Sequence, residues 1–415
     1  MSNNTSAPEV KLSGPIGLQA GRAPAPDLAR GFMLLLIALA NTPFYLFGRE
    51  HSDAGMHPVD GAVVDKIVQV FMITAVDMRV YTMFAFLFGY GLMMMYRRQQ
   101  ERGVPEREGF RLLQRRNLWL LAFGAVHAVL MWGGDVLGAY GLCGLLIVWL
   151  FIRRSQRALL IWAAIGTGIV TLVAALSLFG GWATLAAPEP VDVDGGLPDF
   201  IYESASSTSW LTAAIARLMM WPVITLVVQG PIGLLVPVAI LLGMWASRRR
   251  ILERPEQNRR LLVVAAVAGI AIGWAGGLPH ALTHVGVIQS LEPVIWMFAA
   301  TQSATGLACG LGYVALFGLI GDRIAQRGQG VVSTAVSAVG KRSLSCYLAQ
   351  SILCAPVLAA WGFGLGAHLG SATMALYATV VWLLTVLGAV WLERRKKQGP
   401  AEFLLRRLTY RQSAS

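Results

Sequence analysis

Charge is scarce in this chain, and cysteine scarcer still. Only 13% of its 415 residues are Asp, Glu, Lys or Arg, and the four cysteines (Cys143, Cys309, Cys346, Cys354) include no C-x-x-C pair. They read as small apolar packers, and no disulfide or metal framework follows from them. Acid is the scarcer sign of charge, with 22 Asp and Glu against 34 Lys and Arg. The basic residues sit in short segments beside apolar runs and form no continuous patch, which argues against a nucleic-acid-binding surface. No cleavable signal peptide is expected from the N-terminal residues. The first 26 residues are polar, rich in Ala and Pro, and read as disordered, which makes the first apolar run an uncleaved anchor.

What the chain has in quantity is apolar sequence, 56% of all residues, in runs long enough to cross a bilayer. The runs are roughly 31–48, 80–96, 117–133, 135–152, 158–180, a crossing within 211–247, 261–277, 294–320, 343–364 and 372–391. A hydrocarbon core ~30 Å thick needs ~20 apolar residues in helix, because lipid offers bare backbone amides no partner. The expected fold is therefore an all-α, polytopic integral membrane helix bundle of about ten transmembrane helices, with the lipid bilayer as its first partner.

The charges assign sides. Seven arginines lie in 97–116, Arg153, Arg154 and Arg157 follow the fourth run, and six arginines crowd into 248–260. Arg323, Arg327, Lys341, Arg342 and the basic tail after Trp391 complete the set, whereas 181–210 holds Glu189, Asp192, Asp194, Asp199 and Glu203 with no Lys or Arg. The positive-inside rule then puts both termini in the cytoplasm, in a multi-pass protein of the plasma (inner) membrane. The expected organisation is a cytoplasmic tail (1–26), an N-terminal membrane domain (27–180), an outer loop (181–210), a C-terminal membrane domain (211–391) and a basic cytoplasmic tail (392–415). Two segments strain the scheme. The charges flanking 211–247 demand one crossing, so 211–228, interrupted by Pro222, reads as interfacial or re-entrant and 229–247 as the span. Residues 66–96 are too long for one crossing at ~46 Å, so 60–76 is expected to lie along the outer surface.

Several polar clusters follow a known order. Asp27-Leu28-Ala29-Arg30-Gly31 with Asn41 resembles the D-x-x-R-G…N opening of the YeiB-like bacterial membrane proteins, domain-of-unknown-function family 418. Arg79 through Gly91 is similar to the K-F-x-x-x-F-x-x-L-F-G-x-G stretch of that family, with arginine where many relatives carry lysine. Arg115-Arg116, Gly124, His127-Ala128, Trp132, Gly134-Asp135 and Tyr140 resemble its R-R…G…H-A…W-x-G-D…Y stretch. Gly340, Ser343, Tyr347, Gln350-Ser351, Gly399-Pro400, Glu402 and Leu408-Thr409-Tyr410 look like its C-terminal block. The opening signature is in turn similar to multi-spanning acyltransferases of the heparan glucosaminide N-acetyltransferase type. That resemblance implies transfer of an acyl group from a cytoplasmic thioester to an acceptor on the other face.

All six histidines fall in the outer half of this topology: His51, His57, His127, His280, His284 and His368. A base that titrates near neutrality suits acceptor activation there, and His57 and His51 are the leading candidates. Interfaces also accommodate such rings as ordinary loop residues. His127 and Asp135 are separated by Gly133-Gly134, so a turn can return the carboxylate to the imidazole, either as a catalytic pair or as a hairpin pin. Asp135 is expected to be paired with His127 or with Arg79, and His57 or His51 to approach that hairpin. Asn41, Asp77 and Arg79 are intramembrane polar groups expected to position substrate, and Arg30 is a candidate contact for the donor's phosphates. His280 and His284 share a helical face, but Glu292 is the only nearby carboxylate, a weak zinc pattern; no metal and no tightly bound cofactor is expected.

Two functions fit these residues. One is an acyltransferase using acyl-CoA as donor and an extracytoplasmic acceptor. The other is a small-molecule transporter, since buried Asp, Arg, Asn and His also suit a substrate path; against it, the first-half motifs have no counterparts after residue 211.

Overall fold

The computed structural model describes residues 24–51, 56–187 and 200–410. The acidic run from Glu189 to Asp199, expected in the outer loop, lies outside the described residues, as does most of the N-terminal tail. The described chain is an all-α polytopic bundle: α1 (Pro24–Ala40), α2 (Val63–Phe71), α3 (Val80–Glu101), α4 (Glu106–Leu130), α5 (Val136–Phe151), α6 (Gln156–Ala186), α7 (Phe200–Ser206), α8 (Trp210–Val223), α9 (Leu235–Arg248), α10 (Arg259–His284), α11 (Met297–Arg327), α12 (Val331–Lys341), α13 (Ser343–Leu358), α14 (Ser371–Arg394) and α15 (Pro400–Tyr410). Among the described residues seven helical segments are long and apolar enough to cross a membrane, with shorter apolar helices at α5, α9, α12 and α13. Helix α4 is not among the seven, because its first half carries Arg107, Arg111, Arg115 and Arg116.

Sequence breaks set the helix breaks. The run Val63–Glu101 is 39 residues long, yet Asp77 is extended and Met78 left-handed (φ 62°), so α2 and α3 are separate. Helix α2 lies across the ends of α10 and α14: Lys66 donates to the Val285 carbonyl, and Asp65 accepts from the Ala372 amide at 2.8 Å. The surface segment is shorter than expected. Residues Met72–Val76 form a wide π-helical turn inside the protein, with the carbonyls of Ile73 and Ala75 taken by Gln302 and Tyr313.

The 211–247 region also differs in detail. Helix α8 runs through Pro222 into a second π-turn (Ile224–Val228), and α9 starts only at Leu235. Its 14 residues make ~21 Å of helix, short of a hydrocarbon core. Protein surrounds it instead. A side chain on Gly89 of α3 would strike the Ile240 carbonyl, and one on Gly243 would strike that of Phe86, so the two backbones meet through reciprocal glycines.

The basic segments meet one another at one end of the bundle. Arg97 donates to both oxygens of Glu253, Arg250 pairs with Glu101, Arg153 with Glu106, and Arg248 donates to the Ile152 carbonyl. The histidines belong to the opposite helix ends.

Candidate functional site

Local sequence makes the α4–α5 hairpin. His127 sits in the last turn of α4, Gly133-Gly134 turn the chain, and Asp135 caps α5 by accepting the Gly138 amide at 2.7 Å. The turn brings Asp135 Oδ1 to 2.7 Å from His127 Nδ1. A carboxylate oxygen accepts only, so Nδ1 carries the proton, and Nε2 is left to accept the hydroxyl of Ser351 at 2.8 Å. Ser351 comes from α13, where Tyr347 stands one turn earlier, donates to Asp135 Oδ1 at 3.4 Å and lies 5.1 Å from the His127 ring. The result is a line of carboxylate, imidazole and hydroxyl, with Asp135 0%, His127 5% and Ser351 7% exposed, low enough to exclude bulk water. Of the two partners expected for Asp135, the structure selects His127.

This line lies between two spaces. Toward the histidine end is a pocket of about 20 Å³, room for a single water, lined by Asn41, Thr42, Tyr45, Trp132, Ser351 and Tyr347. Toward the basic end is a cavity of about 390 Å³ whose cations are Arg30, Arg98, Arg102, Arg116 and Lys341. Tyr347 lines both spaces, and the larger one reaches Leu137, two residues beyond Asp135. Arg30 is tied to the Leu87 carbonyl and to Asp27. Glu402 is engaged: it accepts the Leu344 and Ser345 amides, capping the helix that carries Tyr347 and Ser351.

The remaining candidates form a second cluster. His57 Nε2–H donates to Asp77 Oδ2 at 2.7 Å, and its ring lies 6.0 Å from that of His284, which donates to the Pro58 carbonyl. Gln302 donates to His280 Nδ1 at 3.0 Å and accepts from Arg79. Arg79, fully buried, also donates to the carbonyls of Asp77 (2.5 Å) and Gly273 (2.8 Å). His51 stands apart, its ring 4.4 Å from that of Tyr202 and its Nδ1–H on the Arg49 carbonyl. Burial pushes the His51 imidazole below the ordinary histidine range. The contacts of His57 and His51 are therefore not with the hairpin. They were expected there because all six histidines share one end of the bundle, and the Asp77–Arg79 break draws His57 to α10 instead. Arg79 does not reach Asp135, since backbone carbonyls and Gln302 occupy its fork. His280 and His284 recruit no third ligand: among the described residues no group of three or more His, Cys, Asp or Glu is placed to hold a metal ion.

Ser351 is the site residue that residue-by-residue reading missed. It is 224 positions from His127 and sits mid-helix with no glycine-framed turn to mark it. Its only signal was membership of the C-terminal block that also holds Tyr347.

Fold and site together define a multi-pass helical membrane protein with a buried Asp–His–Ser line between two cavities. Residues 246–412, which carry Tyr347 and Ser351, match the family described as "Protein of unknown function (DUF418)". The chain is similar to the uncharacterized protein YeiB of Escherichia coli (strain K12), 25% identical over 402 residues that cover 93% of this chain and 95% of that one. It is also similar to the uncharacterized protein YxaH of Bacillus subtilis (strain 168), 28% identical over 342 residues, 79% and 78% of the two chains. A 39.9 kDa protein in the amylase 3′ region of Bacillus acidopullulyticus is 36% identical over 122 residues, 29% of this chain and 32% of that one. The chain is thus similar to YeiB and YxaH along most of its length, and its residues 246–412 match the DUF418 family.

Proposed function

We propose that the protein is a membrane-embedded acyltransferase of the inner membrane, both termini cytoplasmic, moving an acyl group from a cytoplasmic thioester to an acceptor at the other face. The observation that carries this is the His127–Asp135 pair buried between a cationic cavity and a small pocket that share Tyr347. A cavity of about 390 Å³ is within the ordinary range for small-molecule sites. Its arginines suit the phosphates of a donor such as acyl-CoA, because guanidinium forks match phosphate oxygens. Arg30 and Arg116 then hold donor, and Asn41, an amide in the opposite pocket, positions the acceptor or the reacting carbonyl. His127 takes the proton of the nucleophile that attacks the thioester, while Asp135 fixes its tautomer and stabilises its charged form. His57, Asp77 and Arg79 hold the break between α2 and α3. The meeting of the basic segments at one bundle end supports the sidedness.

Titration of the purified protein with acyl-CoA, with release of free thiol measured in parallel, tests this. Binding weakened by Arg116→Ala and turnover abolished by His127→Ala are expected. Absence of binding by any acyl-CoA, with unchanged lipid and glycan acylation in a deletion strain, rejects it. The second cluster favours one other reading, a transporter, because buried ionisable groups commonly mark a substrate path. Solute uptake by proteoliposomes that Asp77→Asn abolishes would support that reading instead.

A further inference from the structure

We propose that Ser351 is a catalytic nucleophile that carries the acyl group as a covalent serine ester, making transfer a two-step relay. The inference rests on the acyltransferase reading but is separate from it, since direct transfer between two bound substrates would need no acyl-enzyme. Three observations lead to it. The Ser351 hydroxyl is the group that His127 Nε2 faces, at 2.8 Å, while Nδ1 is committed to Asp135. An isolated serine hydroxyl is a weak nucleophile, and a base within hydrogen-bond reach, oriented by a third group, is what activates it. Ser351 also lies on the wall of the small pocket, one helical turn beyond Tyr347, the residue that lines both spaces. Finally, that pocket is too small to hold a donor and an acceptor together, with room for about one water. A relay requires only one partner at the serine at a time.

The chemistry balances without any oxidant or metal. Ser351 Oγ attacks the thioester carbonyl, forming a C–O bond as its proton passes to His127 Nε2. The C–S bond breaks, and the thiolate leaves with that proton as free thiol on the basic side. In the second step the acceptor's hydroxyl or amine, the part of it that the small pocket has room for, attacks the ester carbonyl and loses its proton to His127. The ester C–O bond breaks and the proton returns to Ser351 Oγ. Tyr347 must turn aside for the acyl carbonyl to pass from the large cavity to the serine, which makes it the positioning residue between the two steps.

The test uses the full chain in lipid nanodiscs with acetyl-CoA labelled in its acetyl group and, separately, a fluorophosphonate, which reacts with activated serines whatever the donor. Peptide mass spectrometry is expected to find a hydroxylamine-labile acetyl ester on Ser351. The label should be absent in Ser351→Ala and at least ~10²-fold weaker in His127→Gln, the lower end of the range for loss of a general base. Fluorophosphonate should mark the same residue with the same dependence on His127. Should Ser351→Ala, shown folded by its unfolding temperature, release thiol and acylate acceptor as fast as the natural chain, the relay is wrong and the acyltransferase reading survives. If the natural chain shows no thiol release and no fluorophosphonate labelling, both readings are overturned.

Discussion

Among its described residues the bundle contains two Asp–His pairs with the same contact distance, and they differ in which imidazole nitrogen makes the contact and in what lies beyond the ring. In both, an imidazole nitrogen stands 2.7 Å from a carboxylate oxygen. At the α4–α5 hairpin the far nitrogen of His127 meets the Ser351 hydroxyl on the wall of a pocket. At the α2–α3 break, His57 packs against another imidazole, and the neighbouring cation, Arg79, is bound to backbone carbonyls. Asp135 is wholly buried and anchored by the Gly138 amide, whereas the Asp77 side chain is 13% exposed at a point where the helix is broken. A carboxylate–imidazole contact is therefore no signature of chemistry by itself. The hairpin pair faces a proton donor and a route for substrate; the other pair ties together a chain that has lost its helical hydrogen bonds.

The sharpest way to break this comparison is to treat both histidines alike. His127→Gln is expected to lower turnover by ~10²–10⁴-fold, the usual worth of a general base, at near-normal expression. His57→Gln, which retains a donor for Asp77, is expected to leave turnover within ~10-fold and to show its effect in thermal stability instead. Equal losses of turnover would show that the two clusters act as one site. The carboxylates should divide in the same way. Asp135→Asn keeps the shape of the side chain but allows the wrong imidazole tautomer, and a loss of at least ~10²-fold in turnover is expected, below the ~10⁴ seen where such a triad carries most of the rate. Asp77→Asn is expected to cost stability and little else. Thiol release from acyl-CoA and a fluorescence-detected unfolding temperature read both variants.

Arg79 sharpens the structural half. Its guanidinium meets Gln302 and the carbonyls of Asp77 and Gly273 with no exposed surface. Arg79→Lys keeps the charge but has one ammonium where a planar fork met three acceptors, and each stranded acceptor costs ~1–3 kcal/mol. A clear fall in unfolding temperature, with acyl-CoA affinity unchanged, is expected. A weakened affinity at unchanged stability would instead place Arg79 at a substrate, as expected of an intramembrane polar group.

Much of this fold was legible because membranes leave few options for a backbone. Apolar length and the lack of internal partners in lipid determine that the chain is a helical bundle, and Gly133-Gly134 with a capping Asp135 marks the hairpin. What the sequence hid was pairing across distance. His127 and Ser351 are brought together only by the packing of α13 beside the α4–α5 hairpin, and nothing local to Ser351 announces it. Likewise Pro222 and Gly230 mark a break within 210–248, but only packing shows that α9 can be short, because α3 and α6 bury it. Charge spacing could not tell that Arg79 would spend its fork on carbonyls. That choice depends on where Gly273 and Gln302 arrive from the other half of the chain.

The smallest expected effect belongs to His51, which, unlike His57 and His127, lies outside both pairs. Its ring rests on Tyr202 and donates to the Arg49 carbonyl, and burial holds its protonation below the ordinary histidine range. In the unfolded chain the ring takes up its proton near pH 6.5, so the unfolded state binds more protons as pH falls past that point. The His51 contribution to stability is thus fully present above about pH 6.5 and lost progressively below it. The contact is only partly buried, so solvent screening keeps the effect small. The unfolding temperature measured between about pH 7.5 and 5.5, on either side of the ordinary histidine value, should fall slightly more for the natural chain than for His51→Phe, which keeps a ring against Tyr202 but cannot be protonated. Turnover of His51→Phe should match the natural chain at the upper end of that range. A variant that folds normally but has lost turnover there would move His51 from the loop into the reaction, and the comparison would then have three terms, with the third set outside both buried pairs.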